Sequence, residues 1–260
     1  MEYHAGAHVL SGVMRKEREQ FSFRMSQDLI GIIGAMSIEI DDLRQALTDS
    51  KEEIISGMTF YSGRLNGQDV VLAKSGVGKV NAAMCAQTMI LTYRPAAIIN
   101  TGVAGGLQPG VGIGDIVIAD AVVQYDVDTS ALGDPIGFVS GVNRIEFPSG
   151  GSLADGLYRA AQQLADTKVH RGIIATGDRF VSSRAEASTI RERFCALANE
   201  MEGGSIGQVC YINGVPFCVV RAISDGEDDS SHMEYAQFVT IAAQKSKAIV
   251  LGYLAGSIKN

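Results

Sequence analysis

Three acidic residues stand out for where they fall against the backbone pattern. Glu39 lies just beyond the first apolar run, near the start of a helical segment. Glu202 follows Asn199-Glu200-Met201 at the end of a strand-like stretch. Asp225 ends Val219-Val-Arg-Ala-Ile-Ser-Asp225, where period-two alternation puts Arg221, Ile223 and Asp225 on one face. A solvated cap explains any one of the three acids taken alone. Three of them at strand ends, flanking glycine-rich turns, mark a site on one rim of a sheet. Carboxyl groups in opposite protonation roles, one giving a proton and one taking it, do general acid–base chemistry.

The glycines nearby narrow the choice. Asn100-Thr-Gly-Val-Ala-Gly-Gly106 follows a buried strand, the place where open α/β sheets hold their ligands. Read as turns, its glycines let backbone amides approach a flat or polyhydroxylated ligand closely; tight turns without a ligand explain the segment equally well. Two phosphate-binding patterns fail on spacing. Gly76-Val-Gly78-Lys79 is followed by Val80 where a P-loop needs Ser or Thr, and Ala73 stands where its first glycine would be. The first strand ends in Ile33-Gly34-Ala35-Met36, which lacks the glycine spacing of a dinucleotide site.

The elements that must position these residues alternate between strand and helix. Leu29 to Ala35 reads as a strand buried on both faces, and Ser37 as the cap of a helix with Ile38, Ile40, Leu43 and Leu47 at helical spacing. Thr59 to Leu65 and Asp69 to Lys74 form a hairpin around Asn66-Gly67. Val80 to Tyr93 is a helix, Ala97 to Thr101 a strand, Gly102 to Gly114 a glycine-rich stretch, and Ile116 to Val123 a strand. Asp126 to Gly151 reads as a long loop of the functional kind. Leu153 to Leu164 is helical, Val169 to Ala175 a strand and Ala185 to Phe194 a helix. Leu197 to Glu200, Gly203 to Tyr211 and Pro216 to Ile223 repeat strand, helix, strand, and Glu234 to Ile258 closes the chain as a helix. The expectation is a single α/β domain over residues 29–260, with a mixed, mostly parallel twisted sheet flanked by helices.

Composition excludes several classes. The 260 residues are 46% hydrophobic and 20% charged, as in a globular chain, with a net charge of -7 that repels nucleic acid and anionic lipid. No apolar run reaches the roughly 20 residues of a membrane span. Met1 to Asp28 form a polar extension without the apolar core of a signal peptide. His4 and His8 in it could share a helical face and ligate a metal, but no Cys or third His lies near. Cys85, Cys195, Cys210 and Cys218 make no Cys-x-x-Cys and read as buried thiols of a reducing, cytoplasmic setting. No metal site is expected.

Six motifs in order resemble a known family. They are Gly31-Ile-Ile-Gly-Ala-Met36 with Glu39, Lys74-Ser-Gly-Val-Gly-Lys79, Asn100-Thr-Gly-x-Ala-Gly-Gly106, Gly177-Asp-x-Phe180, Glu200-Met-Glu202 and Arg221-Ala-Ile-Ser-Asp225. From about Leu29 onward the chain resembles the bacterial 5′-methylthioadenosine/S-adenosylhomocysteine nucleosidases of the purine nucleoside phosphorylase superfamily. That resemblance implies a nucleoside phosphorylase-like fold, cleavage of a small-molecule nucleoside at its N-glycosidic bond, no cofactor, and a homodimer whose partner chain helps close the pocket. It implies that Glu39 activates the attacking water with help from Arg221. Glu202, with Met201 beside it, would bind the ribose hydroxyls, and Asp225 would protonate adenine N7. Phe180 would stack on adenine and the Val181 backbone pair with its edge. Met36, Val77 and Tyr235 would line the 5′-thio end. Val103 departs from the pattern, standing where several members carry a Ser near the ribose and water.

The residue types suit this chemistry independently. Breaking a ribose–adenine bond passes through an oxocarbenium-like state, which needs a proton on the base and water on the opposite face. A carboxylate on the 2′ and 3′ hydroxyls strengthens its hydrogen bonds as positive charge develops. Three rivals remain. A phosphorylase would place phosphate where Glu39 repels it, an aminofutalosine-type hydrolase would cleave the same bond, and a silent nucleoside-binding module would have no use for all three acids.

Overall fold

The structure, a computed structural model, describes residues 29–226 and 231–257. The polar extension 1–28 and its His4/His8 pair lie outside the described residues. In chain order the strands are β1 (Ile30–Gly34), β2 (Thr48–Ile55), β3 (Met58–Leu65), β4 (Gln68–Lys74), β5 (Ala97–Gly106), β6 (Ile116–Gln124), β7 (Glu146–Pro148), β8 (Val169–Thr176), β9 (Ala196–Glu200) and β10 (Phe217–Asp225). The helices are α1 (Ser37–Gln45), α2 (Lys79–Tyr93), α3 (Gly151–Ala161), α4 (Arg184–Phe194), α5 (Gly203–Asn213) and α6 (Ser231–Ser257).

All ten strands join one sheet, ordered β10-β6-β8-β9-β5-β1-β4-β3-β2 with β7 beside β6. β10 also pairs with β5, so β5, β9, β8, β6 and β10 close on themselves while β1, β4, β3 and β2 extend from β5 as an open wing. The longest ladders, β10 on β5 and β8 on β6, are parallel. The Asn66-Gly67 hairpin joins β3 to β4 antiparallel, as its turn chemistry requires. Successive residues of the central strands face opposite sides: Ile33 and Val219 enter one core, and Ile32 and Val220 the other. Burial on both faces is why these strands read as continuous apolar runs. Among the described residues, no helix is long and apolar enough to cross a membrane.

The structure corrects several local expectations. Gly102 to Gly106 is not a turn; β5 runs through it, fully buried. Ser37 is the first helical residue, and Met36 holds the cap position. β2 is absent from the sequence reading because Thr-Asp-Ser-Lys-Glu-Glu is an exposed, charged edge with no apolar alternation. The stretch 126–151 holds a short 3-10 turn at Ser130–Leu132 and the strand β7, which pairs Phe147 with Val122. Cys195 is exposed, at the left-handed position that ends α4, whereas the other three thiols are buried. Strict alternation in β10 fails at its end. Ser224 is an extra residue between Ile223 and Asp225 opposite Ala104 and Gly105 of β5. This bulge leaves Ile223 in the core and turns both Ser224 and Asp225 into the cavity described next.

Candidate active site

The ends of β1, β5, β9 and β10 meet at an open-mouthed cavity, the kind of concave site that takes a small ligand. All ten residues singled out from the sequence line it: Glu39, Arg221, Asp225, Glu202, Met201, Phe180, Val181, Met36, Val77 and Tyr235.

Glu39 sits in the first turn of α1, where the backbone N–H groups lack helical partners. Its Oε2 accepts from the amides of Ala35 at 2.7 Å and Met36 at 2.9 Å. Its Oε1 accepts from the Val103 amide of β5 at 3.1 Å. The carboxylate is thus fixed from the turn after β1 and from β5. Burial raises its pKa above the ordinary range, although the nearby Arg221 charge and the three amides pull the other way. A carboxyl group so placed is suited to accept a proton.

Among the described residues, Arg221 is the largest fully buried side chain. Its Nη2 donates to Glu200, to Asn100 Oδ1 at 2.6 Å and to Glu202 Oε2 at 3.3 Å, and its Nη1 to the Val103 carbonyl at 3.4 Å. Burial works against its charge, but Glu200, Glu202 and Glu39 outweigh that and raise its pKa. Glycine at position 102 makes the arrangement possible. A Cβ there would land on both Arg221 Nη1 and Glu39 Oε1. The expected Arg221–Glu39 partnership is therefore an approach across the bare Cα of Gly102.

Glu202 precedes the first residue of α5 and reaches away from its own helix. Its Oε1 accepts from the Gly78 amide at 2.9 Å, at the start of α2. Next to it the Lys79 amide donates to Asp178 Oδ1 at 2.7 Å, and the Lys79 ammonium pairs with Asp126 at 2.6 Å. The donors that resembled a phosphate loop are thus occupied by carboxylates. Burial pushes the Glu202 carboxyl up to about 7; the Glu200 charge adds to this and Arg221 opposes it.

Asp225 is buried and accepts from Ser224 Oγ at 2.8 Å. Phe180 and Tyr235 meet edge to face at 5.7 Å over the mouth, and the Tyr235 hydroxyl lies 3.2 Å from Met36 Sδ. The half-exposed Phe180 and Val77 give the entrance an apolar rim.

A sequence profile described as "Phosphorylase superfamily" matches residues 29–255. The 5′-methylthioadenosine/S-adenosylhomocysteine nucleosidase of Haemophilus ducreyi is 42% identical over 226 residues, 86% of this chain and 97% of that one. The chain belongs to this nucleosidase family of the phosphorylase superfamily. The nucleosidase of Neisseria meningitidis, solved with methylthio-immucillin-A, superposes with a TM-score of 0.85 at 36% identity, over 88% of this chain and 99% of that one. A futalosine hydrolase of Helicobacter pylori superposes with 0.84 at 33% identity, over 88% and 98%.

Within this nucleosidase fold, polar residues in the cavity wall and behind it are ones to which the sequence reading assigned no part. Glu200 and Asn100 stood inside motifs without a role, yet both grip Arg221. A polar residue such as Asn100 within an apolar strand run signals a buried partner. Asn199 also lines the cavity, and its buried Oδ1 has no hydrogen-bond partner among the described residues. Val103, where a Ser hydroxyl is absent, contributes through its backbone: the amide serves Glu39 and the carbonyl serves Arg221.

Proposed function

We propose that this chain hydrolyses the N-glycosidic bond of 5′-methylthioadenosine and S-adenosylhomocysteine, and that of 5′-deoxyadenosine, releasing adenine and the ribose product for methionine salvage. The convergence of Glu39, Arg221, Glu202 and Asp225 in one cavity carries this reading. Glu39, fixed by three amides and raised in pKa, takes the proton from water as the oxygen attacks the anomeric carbon. Arg221, approaching over Gly102, orients that water. Glu202, once ionised, accepts from the ribose hydroxyls and stabilises the developing oxocarbenium charge. Asp225 delivers a proton to N7 of the leaving adenine, and Phe180 with the Val181 backbone holds the base. Met201 sits beside Glu202 at the ribose, and Met36, Val77 and Tyr235 take the 5′-thio end.

Carboxylates crowd the nucleophile side, which disfavours phosphate as attacking group. In phosphate-free buffer, methylthioadenosine is expected to yield free adenine. Dependence on added phosphate would instead indicate a phosphorylase. The likeness to a futalosine hydrolase supports a second reading, because an aminofutalosine-type substrate presents the same scissile bond. Side-by-side turnover of both substrates separates the two.

We also read the protein as a homodimer in the cytoplasm. Buried residues Ala82, Cys85, Ala86, Met89 and Ile90 occupy the core face of α2, yet Val80, Met84 and Leu91 form an exposed apolar stripe on its other side. Val77 continues that stripe into the cavity rim, and Ile212 of α5 is exposed too. A helix apolar all round is normally covered, and a second copy would cover this one and complete the 5′ end. Light scattering is expected to give twice the chain mass. A fully active species of single-chain mass would contradict the dimer.

A further inference from the structure

Four donors converge on the Glu200 carboxylate, a group the reaction described above does not use. It lies at the end of β9, 5% exposed. Its Oε1 accepts from Thr176 Oγ1, which in turn accepts from the Gly204 amide at 2.6 Å. Its Oε2 accepts from Arg221 Nη2 and from the amides of Glu202 at 3.1 Å and Gly203 at 2.7 Å. A purely structural cap for α5 would need the two amides alone. Glu200 also takes the inner end of the guanidinium, which leaves Nη1 as the end nearest Glu39, over Gly102.

We propose that Glu200 is a positioning residue for the glycosidic cleavage: it fixes Arg221 against Asn100 with one amino group turned toward Glu39, and it holds Glu202 at the head of α5. The inference rests on the nucleosidase reading. It has a second consequence through charge. The groups around Glu202 are Arg221 from β10, Glu200 from β9, Glu39 from α1 and Tyr235 from α6, with Lys79, Asp178 and Asp126 gathered where its Oε1 meets α2. One arginine faces three glutamates. The Glu200 carboxylate lies beside Glu202, and its charge opposes the ionisation of Glu202.

Glu200→Gln keeps the shape, can accept at Oε1 from Arg221 and the two amides, and can donate its new N–H to Thr176. Removing the charge should lower kcat roughly 10- to 100-fold, the usual scale for a hydrogen bond to a charged group, with less change in KM. The sign of the pH effect follows from the like charge removed. Glu202 ionises more easily, so the acid limb of kcat/KM should move to lower pH by about one unit. A residue that only caps α5 would lower Tm and leave that limb in place. An unmoved limb in a folded Glu200→Gln enzyme would overturn the proposal.

If that variant does not fold, carboxyl-carbon NMR of the wild-type protein labelled at glutamate decides the same point without turnover. One buried glutamate, Glu202 beside the Glu200 charge, should titrate near 7. Absence of any glutamate titrating there would refute the inference. Wild-type protein that releases no adenine would instead refute the nucleosidase reading.

Discussion

Glu39 illustrates how much of this site is set by single side chains. Its neighbours hold it with three backbone amides, which ordinarily favour the ionised form, yet burial wins and the carboxyl is raised. A group balanced in this way suits a general base, and Glu39→Gln keeps the acceptor while losing the proton affinity. Turnover by that variant is expected to fall about 10²- to 10⁴-fold with the fold intact. Circular dichroism and single-turnover rates check both halves of the statement. Asp225 allows a sharper test. In the proposed reaction one of its oxygens would share a proton with N7 and the other accept from the 6-amino group, so a 6-oxopurine would set acceptor against acceptor. Wild-type protein should prefer adenine over hypoxanthine nucleosides by about 1–3 kcal/mol per unsatisfied contact. Asp225→Asn should lose adenine release and relax the bias. Equal rates on the two bases in wild type would remove Asp225 as the acid. The three acids were legible in the chain because carboxyl groups at strand ends are conspicuous against apolar runs, and the other seven residues only through the family resemblance. Glu200 and Asn100 were not, since nothing in their spacing tells which strand end their side chains will face.

At the level of elements, the strand–helix alternation could be read because each segment carries its own periodicity. What could not be read was long-range pairing. Glycines at 102, 105 and 106 look like turn residues locally, but the strands flanking β5 keep it extended to Gly106. Gly102 is needed for proximity: side chains from α1 and β10 meet over its Cα. Gly102→Ala is therefore expected to abolish turnover, because its methyl would occupy the space of Arg221 Nη1 and Glu39 Oε1. Overpacking of this kind costs about 1–3 kcal/mol, so Tm should fall as well. Near-normal kcat/KM in that variant would mean that the two side chains need not meet there. The β10 bulge is the other feature hidden from alternation. One inserted residue, Ser224, aims Asp225 into the cavity.

For the whole molecule, the closed ring of five strands explains why residues distant in sequence become one site. β10 lies between β5 and β6, β9 lies beside β5, and α1 follows β1, which is next to β5 on the open wing. In the proposed reaction α1 and β10 would supply the nucleophile side, and the loop after β8 with the bulged end of β10 the base side. Cleavage with water on the opposite face demands that the two sides flank the ribose. The most direct test of that geometry is the source of the new oxygen. Methylthioadenosine is turned over in phosphate-buffered [18O]water, and the ribose product is analysed by mass spectrometry. The expected result is one 18O atom in the free 5-methylthioribose, with adenine released at a rate independent of phosphate. A 5-methylthioribose 1-phosphate product, with no label at the anomeric carbon, would contradict hydrolysis by this site.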